Sequence, residues 1–299
     1  MPEQLKKLFE DHFKEELIDL IPLPAHGSNR EYFRLSNDKR SVIGAKNLDR
    51  LENDAFITFS RHFLAKDLTV PEIYAEDLDQ DIYLQEDLGD VTLFDHLLEE
   101  REGRNEFPER LLKTYKQVVE LLPQFQIKGG QGLDYSKSYP HHSFDRQSMM
   151  WDLNYFKYYF LKLAHIRFNE QKLEQDFQTF TDFLLQADGN HFLYRDFQSR
   201  NIMLKDGKPW FIDYQGGRKG ALQYDIASLL FDAKADLPFE IRELLLDHYL
   251  NAVSELMPID REAFTKHYYA FVFIRIMQAM GAYGYRGFYE RKTHFLQSI

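Results

Sequence analysis

The sequence predicts an α+β chain in two lobes, a small antiparallel sheet carrying one helix followed by a larger, mainly helical lobe. Three observations carry that expectation. Between Ile21 and Glu86 short strand-like runs are separated by turn residues, around a single helical stretch. Beyond Val91 the apolar residues recur mainly at three-to-four spacing, as helices require. Within that helical stretch a pair of acids and an asparagine, Asp196, Asp213 and Asn201, sit at fixed places around a short hairpin. The lobes are therefore divided as 1–88 and 89–299.

The elements follow in order. Leu5, Leu8, Phe9, Phe13, Leu17 and Leu20 fall at helical spacing, which predicts a helix from Glu3 to Leu20. Ile21-Pro22-Leu23-Pro24-Ala25 and Glu31-Tyr32-Phe33-Arg34-Leu35 read as strands joined by a tight turn at His26-Gly27-Ser28-Asn29. A turn at Ser36 to Arg40 leads to a third strand, Ser41 to Lys46. A helix over Glu52 to Leu64 turns Phe56, Phe59 and Phe63 inward. Pro71 to Ala75 and Asp81 to Glu86 complete the sheet, and Asp87-Leu88-Gly89-Asp90 breaks the pattern. In the second lobe His191 to Tyr194 enters a loop, Ile202 to Leu204 leaves it, and Trp210-Phe211-Ile212 ends at Asp213. Lys205-Asp206-Gly207-Lys208 is a hairpin turn, since Asp-Gly accepts positive φ at both central positions. No internal repeat interrupts this plan.

Composition narrows the function classes. With 299 residues, 44% of them hydrophobic and 28% charged, the chain can bury a sizeable core and is not disordered. Its 26 Phe and 18 Tyr fit aromatic core packing. The absence of cysteine removes disulfides, thiolate nucleophiles and Cys-bound metals. No apolar signal core opens the chain, and no run reaches membrane-span length, so a soluble cytoplasmic protein without a membrane partner is expected. A net charge of -11 argues against general nucleic-acid binding. His141-His142 lacks a third ligand at useful spacing and reads as surface loop. Trp151 to Phe160 reads as an aromatic helix, packing into the core or offering a ring platform for a sugar.

The polar kit around the hairpin is that of a kinase-type phosphoryl-transfer site. Asp196 is placed to accept the proton of an attacking hydroxyl. The Asn201 amide oxygen and the Asp213 carboxylate can hold Mg²⁺ against nucleotide phosphates, because Mg²⁺ takes oxygen ligands and keeps much of its shell for water and phosphate. An ordinary surface hairpin with scattered acids is the bland alternative, and the fixed placing of all three groups argues against it. From Asp213 to Asp225 only a short loop intervenes, Gln215-Gly216-Gly217-Arg218-Lys219-Gly220. It has no room for a peptide-docking activation segment, so the acceptor is expected to be a small molecule. Arg218 and Lys219 could meet an anionic group or be plain exposed loop residues.

Tyr194-Arg195-Asp196-Phe197-Gln198-Ser199-Arg200-Asn201-Ile202-Met203, Phe211-Ile212-Asp213-Tyr214-Gln215 and Gly220 to Leu230 resemble the aminoglycoside-phosphotransferase and choline-kinase group of small-molecule kinases. Within that group, Arg195-Asp196-Phe197-x-Ser199-Arg200-Asn201, Asp213-Tyr214-Gln215 and Glu86-Asp87-Leu88-Gly89-Asp90 are similar to bacterial kinases of the anomeric hydroxyl of N-acetylated cell-wall sugars. The resemblance implies a bilobal protein-kinase-like fold with ATP as donor and Mg²⁺ as metal. It implies Asp196 as base, Asn201 and Asp213 as metal ligands, and Asp225 as a helix-capping brace of the catalytic loop. Gln198, Arg200 and Gln215 are the candidate acceptor contacts. Arg195 is a substrate contact or a loop brace.

On the nucleotide side the candidates are Gly27 and Ser28 over the phosphates and the Gln85, Glu86 and Leu88 backbone, with Leu84, at the adenine ring. Lys46 is the candidate phosphate lysine, paired with Glu52 or Asp54, or else a strand-end surface residue. Two departures stand out. Tyr194 replaces the usual His, and the loop at His26 to Arg30 has one glycine and no Gly-x-Gly-x-x-Gly. The sequence leaves two other readings open: an aminoglycoside or amino-alcohol kinase, drawing on Glu255, Asp260, Glu262 and Glu290, and a nucleotide-binding scaffold with weak or no catalysis.

Overall fold

The structure is a computed structural model and describes residues 2–24, 30–104 and 106–298. Helix α1 (Pro2–Phe13) buries Leu5 and Phe9. It stops at Phe13, where Lys14 takes φ +56°, instead of running on to Leu20. Leu17 stays buried in the same core but as extended chain, for the Ile18 N–H already donates to the Ser36 carbonyl at 3.1 Å. Strand β1 (Asp19–Pro22) follows. Pairing to a sheet edge thus outweighs a helical spacing carried past Phe13 by only two leucines. Pro22 closes this edge strand, where a missing N–H costs least.

Strands β2 (Glu31–Ser36) and β3 (Ser41–Lys46) form a hairpin, α2 (Arg50–Leu64) crosses over, and β4 (Ile73–Asp77) and β5 (Ile82–Glu86) complete the sheet. All pairings are antiparallel, in the order β1-β2-β3-β5-β4. Side chains alternate between faces, so register decides which residues can reach the site. Phe33, Leu35, Val42, Ile82 and Leu84 pack with Leu5 and Phe9 of α1. On the opposite face Tyr32, Ala45 and Tyr83 lie directly across from one another and join the core around Phe56, Phe59 and Phe63 of α2. Gly44 lets α1 sit close: a Cβ there would be 2.7 Å from Leu35 Cδ1 and 3.0 Å from Leu5 Cδ2. Helix α2 begins at Arg50, earlier than expected, because Asp49 caps it by accepting from the Glu52 N–H at 3.2 Å.

The rest of the chain forms α3 (Leu93–Arg101), α4 (Glu109–Pro123), α5 (Arg146–Phe156) and α6 (Glu170–Leu184) before the hairpin region. Strands β6 (His191–Leu193), β7 (Ile202–Lys205), β8 (Lys208–Phe211) and β9 (Arg218–Gly220) follow, then α7 (Gln223–Leu230), α8 (Phe239–Ser254) and α9 (Arg261–Gly284). The β7–β8 hairpin turns at Asp206 and Gly207 with φ +52° and +72°, as its Asp-Gly pair predicts. The short loop expected between Asp213 and Asp225 contains β9, antiparallel to β6. Gly220 makes that pairing possible, since a Cβ there would lie 2.4 Å from Leu193 Cδ1.

One aromatic core joins the sheet and its helix to the helical region. Phe56 stacks on Tyr214 at 5.0 Å, and Phe63 meets Phe125, Phe192 and Tyr214 edge-on at 5.2–5.3 Å. The connecting segment is fixed by charge: Arg34 binds Asp87 and Asp90, and Lys205 binds Glu86 at 2.6 Å. Among the described residues no helix is long and apolar enough to cross a membrane.

Candidate active site

The loop that leaves β6 and enters β7 brings Asp196 and Asn201 to Asp213, which follows β8. The Asn201 amide donates through Nδ2 to the Asp196 carbonyl at 2.8 Å and to Asp213 Oδ2 at 3.0 Å. Those two bonds fix which end of the amide is which, and leave the Asn201 Oδ1 free as a ligand atom. Asp213 Oδ1 accepts from Gln215 Nε2 at 2.7 Å. Burial, and then the nearby Asp196 charge, pushes the Asp213 carboxyl up to about 6. An amide oxygen and a carboxylate in a polar pocket form the hard-oxygen donor set that suits Mg²⁺, so the residues present fit that metal. Among the described residues no cluster of three or more His, Cys, Asp or Glu could hold another ion. His141 and His142 instead bond Asp145 and the Tyr135 carbonyl.

Asp225 is fully buried and braces the loop from behind. Its carboxylate accepts from the Tyr194 N–H at 2.8 Å, the Arg195 N–H at 3.0 Å and Gln126 Nε2 at 2.9 Å. Burial raises its pKa to about 7 against the pull of those three donors. The expected helix cap is not what it forms. Asp225 lies inside the first turn of α7, after Leu222 at the cap, and spends its oxygens on the loop. Tyr194 repacks the position where the similar kinases carry His: it is buried, and its hydroxyl donates to the Ile212 carbonyl just before Asp213.

Arg195 is the loop brace rather than a free substrate contact. Its guanidinium binds both oxygens of Asp152 at 2.7 and 2.8 Å and the Tyr224 hydroxyl at 2.8 Å, between the rings of Phe144 and Tyr224. Burial would lower its pKa, but Asp152 and Tyr224 override that and hold it well above the usual value. The backbone at Arg195 has φ +82°, a conformation that costs a non-glycine residue about 1–3 kcal/mol. The bonds to Asp225 and Asp152 offset that cost. Asp152→Ala leaves this cation buried without its carboxylate and should cost about 3–5 kcal/mol. Urea unfolding measures it, and a change under about 1 kcal/mol would show that the Tyr224 hydroxyl and the stacked rings suffice.

Beside Asp196 opens a cleft of about 330 Å³, walled by Tyr139, Pro140, Trp151, Gln215 and Arg218 and also lined by Glu52, Asp152 and Arg195. Trp151 is half exposed there, so this residue in the middle of α5 faces solvent while Leu153 packs inward. Arg218 is buried, and its Nε donates to the Gly216 carbonyl at 2.9 Å. Burial, then repulsion from Arg195, brings its pKa down to about 10, so it remains a cation at neutral pH. Of the three candidate acceptor contacts, only Gln215 lines this cleft. Gln198 is half-buried outside it, and Arg200 is exposed over the Phe94 ring of α3 at 4.7 Å.

On the nucleotide side Gly27 and Ser28 lie outside the described residues. Gln85 faces the α2 side of the sheet and is buried, with its Oε1 lacking a hydrogen-bond partner among the described residues. Glu86 has its carboxylate committed to Lys205, and Leu88 is buried. Leu84 corrects an expectation: it lies across from Gly44, in the α1 core, because of strand parity. The expected pairs of Lys46 with Glu52 or Asp54 do not form either. Lys46 lies across from Glu31 and Ile82, on the α1 face. Glu52 faces Arg30 at 3.3 Å, and Asp54 faces Lys137 at 2.7 Å. Arg30 and Asp152 were not legible as site residues. Asp152 left one trace, an acid set between Met149 and Leu153 on an otherwise apolar helix face.

A five-stranded antiparallel sheet over a helical lobe, with a braced Asp-Asn-Asp loop between them, defines a kinase of small molecules. The chain belongs to the phosphotransferase enzyme family, whose sequence profile matches residues 19–263. It is 26% identical over 287 residues to the N-acetylmuramate/N-acetylglucosamine kinase of Neisseria meningitidis serogroup B, covering 94% of this chain and 81% of that one. The enzyme of the same name from Pseudomonas putida is 25% identical, covering 88% and 75%. Among solved structures, choline kinase from Cryptosporidium parvum superimposes with a TM-score of 0.63 at 14% identity, covering 94% of this chain and 88% of that one. The aminoglycoside phosphotransferase APH(4)-Ia in complex with ADP and hygromycin B gives 0.57 at 16%, covering 98% and 94%.

Proposed function

We propose that the protein transfers the γ-phosphate of ATP to the anomeric hydroxyl of an N-acetylated amino sugar. In this reading residues 1–88 hold the nucleotide, residues 89–299 hold the catalytic loop and acceptor, and the reaction takes place in the cytoplasm. The Asp196 carboxylate takes the proton of the acceptor hydroxyl as that oxygen forms its bond to the γ-phosphorus and ADP departs. Asn201 Oδ1 and Asp213 would hold Mg²⁺, which would supply positive charge to offset that of the phosphates. Arg195 and Asp225 keep the loop in place during this exchange.

The observation that carries the acceptor class is that a buried cation, Arg218, and an exposed indole, Trp151, line the same cleft as Asp196. An indole face suits a sugar ring, and a guanidinium suits a carbonyl or carboxylate substituent and repels a polycation. The acids within the cleft do not make an ammonium site, because Glu52 is matched to Arg30 and Asp152 to Arg195. Asp260, one of the acids an amine acceptor would need, instead caps α9. The names of the Neisseria and Pseudomonas relatives point the same way.

A panel of acceptors tests the reading. N-acetylglucosamine and N-acetylmuramic acid should consume ATP in the presence of Mg²⁺, and kanamycin-like polyamines should not. The product should lose its reducing end and show an acid-labile phosphate by ³¹P NMR. Turnover of the polyamines with none of the sugars would transfer the assignment to an aminoglycoside kinase.

A further inference from the structure

We infer that Arg30, and not Lys46, is the side chain that grips the nucleotide phosphates, with Glu52 as the residue that positions it. The inference rests on the kinase reading above and assigns a phosphate-binding role within it. Kinase folds carry this cation as a lysine on the third strand, paired with a Glu of the following helix. The strand here is β3 and the helix α2. Strand parity puts Ile43 and Ala45 on the face that meets α2, and Lys46 on the face that meets α1. The position that should present a lysine therefore presents Ala45, a methyl group with no exposure.

The missing cation enters from the neighbouring strand. Tyr32 lies directly across from Ala45, and Arg30, two residues earlier, extends the same face. Arg30 is only 5% exposed, and its guanidinium lies 3.3 Å from Glu52 Oε1. It donates to the Tyr32 hydroxyl at 3.2 Å and stands over the Phe56 ring at 5.8 Å. Glu52 thus does for Arg30 what the helix acid does for the usual lysine.

The pair is wired to the metal residues. Gln215 Nε2 donates both to Glu52 Oε1 at 3.3 Å and to Asp213 Oδ1 at 2.7 Å. The Arg30–Glu52 pair is thus one hydrogen-bonded side chain, Gln215, away from the carboxylate that would hold the metal, and in a kinase site the nucleotide phosphates lie beside that metal. A guanidinium also offers two parallel donors to phosphate oxygens, which an ammonium does not.

Calorimetric titration with Mg·ADP decides the matter on four variants: Arg30→Met, Arg30→Lys, Lys46→Met and the double Arg30→Met/Glu52→Met. The double variant removes both charges, so it strands no buried ion if Arg30→Met alone fails to fold. Arg30→Met and the double variant should bind about 10- to 150-fold more weakly than wild type, the worth of charge-assisted hydrogen bonds. Arg30→Lys should recover part of that loss, and Lys46→Met should stay within about twofold of wild type. A folded double variant that binds like wild type, or a Lys46→Met variant that loses affinity by about tenfold or more, overturns the assignment. Wild-type protein that binds no Mg·ADP would instead sink the kinase reading on which it rests.

Discussion

Asp196→Asn should leave fold and nucleotide affinity close to wild type while turnover falls by about 10²–10⁴-fold, the usual contribution of a positioned base. The substitution keeps the shape of the side chain and removes its charge and its capacity to accept a proton. Among the described residues no hydrogen bond that holds the loop uses that carboxylate. Asn201 bonds the Asp196 carbonyl of the main chain, and the loop backbone is tied to Asp225 through the Tyr194 and Arg195 N–H groups. Arg195, the neighbouring cation in the chain, has its own partner in Asp152. The loss should therefore fall on kcat, with Mg·ADP affinity and the melting temperature nearly unchanged. A variant with near-normal kcat would exclude Asp196 as the proton acceptor. One that failed to melt cooperatively would mean that the carboxylate also has a structural role.

Much of this site is legible in the sequence because its components are local. The Asp206-Gly207 pair allows one tight turn, so the spacing from Asp196 to Asn201 and on to Asp213 translates directly into proximity. The inward faces of α2 were legible for the same reason, since Phe56, Phe59 and Phe63 follow the helical period. Long-range pairing was not legible. The extension of α1 to Leu20 fails because Ile18 bonds Ser36, a partner far along the chain. Lys46 and Ala45 are one residue apart, and a single step of register exchanges the α1 face for the α2 face. The sequence offers lysine at a strand end and gives no sign of which face it takes. Asp225 illustrates a subtler limit. Its place before an apolar helical run reads as a cap, yet burial beneath the loop gives it three stronger claims on its oxygens.

Asp213→Ala should abolish the metal dependence of nucleotide binding. In wild type, affinity for ADP should rise when Mg²⁺ is added. In the variant, affinity in Mg²⁺ should drop to the value found in EDTA, because one of the two side-chain oxygens that fit the metal is gone. Asn201→Ala should do the same less severely, since it removes a neutral ligand and leaves the charged one. Stability supplies the control. Removing a buried carboxylate relieves its repulsion with Asp196, while the Asn201 and Gln215 donors each lose an acceptor at a cost of about 1–3 kcal/mol. Asp213 also holds φ +69°, which alanine adopts less readily than aspartate, so Asp213→Asn is the companion that separates backbone strain from lost charge. Both variants should melt cooperatively and bind ADP alike in EDTA, and both should lose most of the Mg²⁺-dependent gain. Titration calorimetry that found this gain intact in Asp213→Ala would remove Asp213 from the metal site and leave Asn201 without its expected partner.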